Sequence, residues 1–162
     1  MAFRPMRRIR QMLSEQRIQE VLDRGRYGVL ACLGDDGYPY AVPLNYVYFK
    51  NCIYFHAAKT GHKLDAISNH PKVSFTVVDQ DTIVAEEYTS YFRSVILFGT
   101  AAIAEEPEWR EAFPALVAKY CADIPAEQRQ QTIEDCTQAV GIVVKIDHCT
   151  GKEAKELVRA RT

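Results

Sequence analysis

The chain has 162 residues, of which 48% are apolar and 25% charged, the profile of one ordinary globular domain. Its formal net charge of −1 excludes a strong long-range attraction to nucleic acid or to an acidic membrane. No apolar run reaches the ~18 residues that span a bilayer, and the N-terminus lacks the apolar region of a signal peptide. We therefore expect a single domain over residues 1–162 that is soluble and cytoplasmic.

The cysteines form an odd, scattered set with no C-x-x-C pair. Such a set argues for a reducing compartment and against a disulfide framework or a zinc ribbon. His148 stands beside a cysteine, but no third ligand follows at a useful spacing, so we predict no metal site. The five residues are Cys32, Cys52, Cys121, Cys136 and Cys149.

The first element is a predicted helix over residues 15–24, preceded by an N-terminal arm, residues 1–13. Ser14 is a suitable N-cap and Gly25 follows as the stop. The arm permits two interpretations, a solvated tail or a basic segment that touches phosphates. Its cationic residues are Arg4, Arg7, Arg8 and Arg10.

From residue 27 the pattern becomes that of strands. Residues 27–33 predict a mostly apolar strand, and the Gly-Asp-Asp-Gly at 34–37 predicts a turn. A long second strand is predicted over 38–49, interrupted by Pro39 and Pro43. Because proline cannot donate to a ladder, we expect one side of this strand near Pro43 to lack a β neighbour. A ligand can occupy such a gap.

The stretch IYFHAAKTGHK predicts a strand that feeds a helix through a small polar turn. The strand covers residues 52–58, Thr60 is a plausible N-cap, and the helix should end by His70 because Pro71 follows. Lys63 stands where a capping box would place Glu or Gln. A cation beside unpaired helix amides is unfavourable unless an anion binds, and phosphate is the natural candidate. The alternative is an ordinary helix start with Lys63 in water.

The second half of the chain predicts further strands and two inserted helices. Gly99 indicates a bulge or a close backbone approach, and Pro114 should kink or divide its helix. A turn-like segment at 147–151 and a charged tail, 152–162, close the chain. The predicted strands are 73–79, 88–104 and 140–146 with a short piece at 83–85, and the predicted helices are 107–121 and 125–137.

About six strands joined largely by turns must close or stack to hide their edges. We therefore predict a mainly β (α+β) fold, a small antiparallel barrel with peripheral helices.

Four segments, in this order, resemble a known family. They are YGVLACLGDDGYPYAVPLNYVY, IYFHAAKTGHKLDAISNHPKVSFTV, SYFRSVILFGTAAI and VGIVVKIDHCTGKEA. Together they cover about residues 14–155 and resemble the FMN-binding split barrels related to pyridoxamine 5'-phosphate oxidase, above all the nitroimidazole-resistance (Nim) branch. The resemblance implies a six-stranded antiparallel split β-barrel and a homodimer that binds FMN at its interface.

The resemblance also implies a set of cofactor-binding residues in four groups. Alternatives remain for two of them, since His56 could be a core histidine and Arg93 could pair with a carboxylate across the sheet. The implied residues are Val42, Pro43, Leu44 and Asn45 beside the flavin ring, His56, Ala57 and Ala58 along the ribityl chain, Thr60, Gly61, His62 and Lys63 at the phosphate, and Arg93, Ser94 and Val95 as a second cluster near both.

The implied function is that of an FMN-dependent oxidoreductase. Nim proteins are associated with the reduction of 5-nitroimidazoles, so nitro-group reduction is the specific expectation, with His56 as the tentative proton donor. Two other functions compete: a non-catalytic FMN-binding protein, and a β-barrel that binds nucleic acid or a partner through its basic arm. Related barrels also accept a deazaflavin or haem. The helix with Trp109 and Phe113 could cover the flavin or pack at the dimer seam.

Overall fold

A computed structural model describes residues 3–160 and, within them, arranges seven strands in one antiparallel sheet with five α-helices. The sheet order is β2-β1-β5-β6-β7-β4-β3. The strands are β1 (Gly28–Leu33), β2 (Pro39–Leu44), β3 (Val47–Phe49), β4 (Cys52–Ala58), β5 (Lys72–Val84), β6 (Thr89–Ile103) and β7 (Ala139–Glu153). The helices are α1 (Glu15–Arg24), α2 (His62–Asn69), α3 (Glu106–Tyr120), α4 (Ala126–Asp135) and α5 (Lys155–Arg159).

The first helix forms as predicted. The Ser14 hydroxyl accepts a hydrogen bond from the amide of Arg17 at 3.4 Å, and the helix ends before Gly25. Val21 and Leu22 are buried, so the apolar face of α1 packs against the sheet. None of the helices within residues 3–160 combines the length and apolar character needed to cross a bilayer.

The predicted strand over 38–49 is two strands, so the sheet has seven strands rather than six. The chain bends at Asn45 and Tyr46, which lie between β2 and β3. The Asn45 side chain donates to the Arg26 carbonyl at 2.9 Å, and the Tyr46 amide donates to the Tyr120 hydroxyl at 3.0 Å. Because side chains from distant elements bind this corner, the ladder stops there.

The sheet is not closed into a barrel, which corrects the barrel prediction. Its two edge strands are β2 and β3, and no ladder joins them within the described residues. The mainly β, α+β class is confirmed. So is the gap near Pro43, because β2 pairs with β1 alone and its other edge has no β neighbour.

Three other boundaries differ from the sequence prediction. β5 continues to Val84 and absorbs the piece at 83–85, while β7 continues through the turn-like segment 147–151 to Glu153. Both extensions follow the pairing of β6, whose ladder with each neighbour resumes after one register shift and continues to the end. Helix α3 is continuous through Pro114, so the proline does not divide it. The bulge at Gly99 is confirmed by a register shift between β6 and β7.

The end of the N-terminal arm is packed rather than solvated. The buried Gln11 side chain donates to the Glu153 carbonyl at 2.9 Å, Met12 bridges to Lys152, and the Leu13 amide donates to the Gly151 carbonyl at 3.0 Å. Residues 1–2 of the arm and 161–162 of the tail lie outside the described residues. The four arginines are exposed, as the solvated interpretation expects.

Two apolar cores hold the sheet between helices. The larger core packs Leu22 of α1 and Ile67 of α2 against sheet residues such as Phe55 and Phe75. The smaller core lies under α3 and joins Ala112, Leu116, Val47, Tyr54 and Val143. Each fully buried large apolar side chain contributes roughly 1.5–3 kcal/mol of transfer free energy. The second core fixes α3 over β3, β4 and β7. Helix α3 does not extend over the rest of that sheet face.

Candidate functional site

The turn between β4 and α2 has an open helix start. Gly61, not Thr60, is the N-cap, which corrects the predicted cap by one residue. Its φ of +138° lies in the region that favours glycine, and no side chain caps the helix. No other group lies within 4 Å of the position that a Gly61 Cβ would occupy. The first amides of α2 therefore have no side-chain cap, although the Leu64 amide donates to the Gly61 carbonyl at 2.9 Å.

The first turn of α2 carries one cation, Lys63, and one acidic residue, Asp65. Lys63 is the second helical residue, half-buried, and forms no ion pair within residues 3–160. Thr60, Gly61 and His62 are exposed. A cation added to the positive end of a helix dipole is a suitable setting for a phosphate group. The assignment of this turn to a phosphate stays a prediction.

The structure brings this turn to the edge strand β2. The His62 ring stacks on Tyr40 of β2, with ring centroids 4.2 Å apart and planes 24° apart. His62 Nε2 also lies 3.8 Å from the Asp35 carboxylate, in the turn before β2. The predicted phosphate turn and the predicted ring-binding strand are therefore neighbours.

Along β2, side chains alternate between the core and solvent. Val42 and Leu44 are half-buried and pack against the larger core, whereas Pro43 and Asn45 are exposed. Since the Asn45 amide group is bound to the Arg26 carbonyl, it fixes the end of the strand. Within the described residues, the other edge of β2 carries no ladder.

On β4, His56 and Ala58 are exposed, and Ala57 between them is buried. The interpretation of His56 as a core histidine is therefore wrong. His56 lies opposite Gly141 of β7, and the space that a Gly141 Cβ would need is filled by the Trp109 ring. Trp109 thus covers the strand beside His56.

The cluster Arg93–Val95 lies apart from this turn within one chain. Arg93 Nε donates to the fully buried Glu153 carboxylate at 3.1 Å, so the cross-sheet ion pair is the arrangement that forms. Val95 is buried and Ser94 half-buried. Arg93 pairs with one end of β7, and Ala58 with the other.

Sequence reasoning missed Lys119, a residue of α3. Its Nζ lies 4.1 Å from the centre of the buried Tyr46 ring, and desolvation lowers the pKa of Lys119 to about 8. Burial also raises the pKa of Tyr46, whose hydroxyl donates to the Leu22 carbonyl at 2.7 Å. No local pattern marks this lysine, because its environment comes from three distant segments.

Comparisons with known proteins agree on a family. A family model described as pyridoxamine 5'-phosphate oxidase matches residues 14–153. A search of curated proteins found no significant match.

Several solved structures share the fold. A proposed 5-nitroimidazole antibiotic resistance protein from Bacteroides thetaiotaomicron is 21% identical, with a TM-score of 0.71 and coverage of 88% of this chain and 86% of that one. A conserved hypothetical protein from Mycobacterium tuberculosis is 23% identical, with a TM-score of 0.79 and coverage of 94% and 92%. An FAD-binding protein from Mesorhizobium loti is 24% identical, with a TM-score of 0.65 and coverage of 89% and 97%. At these identities the likeness is one of fold.

Proposed function

The chain belongs to the pyridoxamine 5'-phosphate oxidase family, and from that premise we propose that it is a flavoprotein that binds FMN and acts as an oxidoreductase on small molecules. The observation that carries the proposal is the start of α2. There, no side chain caps the helix after Gly61, Lys63 forms no ion pair within residues 3–160, and the neighbouring His62 stacks on Tyr40 of β2. A ligand with a phosphate for the helix start and a flat aromatic group for the edge of β2 would contact both places.

The residues have separate roles in this proposal. The amides that follow Gly61 and the ammonium of Lys63 bind the phosphate, and the backbone of Val42–Asn45 borders the ring. When bound, FMN supplies the electron transfer. The M. loti neighbour binds FAD, so a flavin of either kind suits the fold, and the experiment below compares the two.

A homodimer completes the proposed site. On the uncovered sheet face, two rows of residues that run across five strands contain no Asp, Glu, Lys or Arg. One row is Pro43, Val29, Thr76, Ile96 and Thr150, and the next is Ala41, Ala31, Ser74, Phe98 and His148. Uncharged, partly apolar faces of this kind mark subunit contacts. Ser94 lies on the same face, next to Ile96, and would enter the interface.

The first test is cofactor binding. Purified protein is titrated with FMN and FAD, and with a deazaflavin and haem as competing cofactors, by visible absorption and calorimetry. We expect FMN to bind most tightly, and Lys63→Gln to weaken it about tenfold or more, since a charge-assisted contact is lost. Lys145→Gln, an exposed lysine of β7, is the matched control. Equal FMN affinity in both variants would remove the α2 turn from the site.

The second test is catalysis. FMN-loaded protein is supplied with NAD(P)H or dithionite and a 5-nitroimidazole, and loss of the nitro absorption is followed. His56→Asn should preserve FMN affinity and cut turnover about a hundredfold if His56 donates the proton. Unchanged turnover excludes His56 from the chemistry. FMN binding without any reduction would identify a non-catalytic flavin-binding protein instead.

A further inference from the structure

A cleft between α3, α4 and the start of β7 lies outside the proposed flavin site. Its volume is about 680 Å³, within the size range of small-molecule sites. One wall carries Trp109 and Phe113, whose rings stack in parallel with centroids 4.7 Å apart and planes 16° apart. The other wall carries Ile133 of α4.

The two walls lie on opposite sides of the same cleft. Helix α4 has no buried residue, and Ile133, its one large apolar side chain, is only half-buried and faces the cleft. The Trp109 ring is held in place because Gly141 leaves room for it against the sheet. An aromatic platform therefore faces an aliphatic side chain across an unfilled gap. A flat aromatic group placed between them would bury apolar area on both sides.

The charged side chains of the cleft indicate which charge a ligand would carry at the end next to β4. Arg110 is paired with Glu106 at 3.1 Å. The Glu134 carboxylate accepts a hydrogen bond from the neutral Gln130 amide at 2.7 Å and keeps its charge on the α4 side of the cleft. Lys59, which lines the end next to β4, forms no ion pair within residues 3–160. The group available to a ligand at that end is thus a cation.

From these observations we propose that the cleft binds a planar aromatic anion, with the ring between Trp109 and Ile133 and the anionic group at Lys59. The cleft adjoins the α2 turn at Lys59, which lies between Ala58 and Thr60, but its walls belong to α3 and α4. The proposal does not depend on flavin binding.

The chain contains one tryptophan, Trp109, so its fluorescence reports on this cleft directly. The purified full-length protein is titrated with 2-naphthoate, and with 2-naphthylmethylammonium as a cation of similar shape, while calorimetry gives each Kd. We expect saturable quenching by 2-naphthoate and at least tenfold weaker binding of the cation.

Variants separate the proposed contacts from general effects. Lys59→Gln should weaken 2-naphthoate about tenfold, whereas Lys145→Gln, an exposed lysine outside the cleft, should leave it unchanged. Ile133→Ser should weaken both probes, and circular dichroism checks its fold. Equal affinity for the two probes, an unchanged Kd in Lys59→Gln or an absence of saturable quenching would each overturn the proposal. Flavin content, read from the visible absorption of the same samples, distinguishes failure of this site from failure of the flavin site.

Discussion

Arg93 forms an ion pair across the sheet with Glu153. In the family pattern, Arg93 belongs to a cofactor cluster, but here its guanidinium binds a carboxylate that is fully buried. Removing one partner of a buried ion pair costs more than the pair itself contributes, because the remaining charge is compensated less well. Arg93 therefore holds β6 and β7 together at the far end of the sheet.

We predict that Arg93→Met lowers the free energy of unfolding by about 2 kcal/mol, because a charge-assisted contact to the buried Glu153 carboxylate is lost. Urea denaturation measures this change. The control is Arg110→Met, whose exposed ion pair with Glu106 should contribute about 0.5 kcal/mol or less. FMN affinity of the folded Arg93→Met protein should stay within twofold of the parent. A small stability loss combined with a large loss of FMN affinity would assign Arg93 to the phosphate instead.

Among the helices and strands, the sequence predicted those features that depend only on neighbouring residues. The cap at Ser14, the strand β4 and the cationic start of α2 all follow from neighbouring residues, and each forms within a residue or so of its predicted place. The break at Tyr46 could not be predicted, because the hydroxyl that binds its amide comes from Tyr120.

Long-range pairing explains the other differences. Residues 147–151 have turn-like composition, but β6 supplies a partner for almost every one of them, so β7 continues to Glu153. The same limit applies to the candidate site. Its phosphate turn is contiguous in sequence and was predictable, whereas its contact with β2 through His62 and Tyr40 depends on the fold.

The position of α3 gives a prediction at this scale. A methyl group at Gly141 would collide with the Trp109 ring, so Gly141→Ala should displace the start of α3 and destabilise the protein by about 1–3 kcal/mol. Urea denaturation and the emission maximum of Trp109, which should shift to the red as the ring becomes exposed, measure the two effects. Ala102→Val, an exposed position on β6, serves as control. An unshifted emission maximum would mean that Trp109 does not pack on β7 as described.

In the whole molecule, one part of the outer face of the sheet is covered by α3, and another part is the proposed dimer contact. The part over β3, β4 and β7 is covered by α3 and its small apolar core. On the other part, the two rows from Pro43 to Thr150 and from Ala41 to His148 carry no Asp, Glu, Lys or Arg, and Ile96 and Phe98 in them are 42% and 41% exposed. Phe3 of the N-terminal arm stacks on His148 and Phe98, and Arg4 and Met6 of the arm line a cleft with Ile96 and Thr150. A second copy of the chain would therefore meet this face together with the arm.

If this face forms the proposed dimer, a charge at its centre should separate the subunits. Ile96→Glu places a carboxylate in the row from Pro43 to Thr150, and neither of the two rows contains a cation. Its burial between subunits would cost several kcal/mol, a cost that Arg4 and Lys152 beside Ile96 reduce but do not remove. We expect light scattering after size exclusion to show a dimer for the parent and a monomer for Ile96→Glu. FMN affinity should fall together with dimerisation, because the proposed site is completed at the interface. Tyr88→Glu, at a 97% exposed position between β5 and β6, should remain a dimer and retain FMN. A dimer that persists in Ile96→Glu would place the subunit contact on another surface.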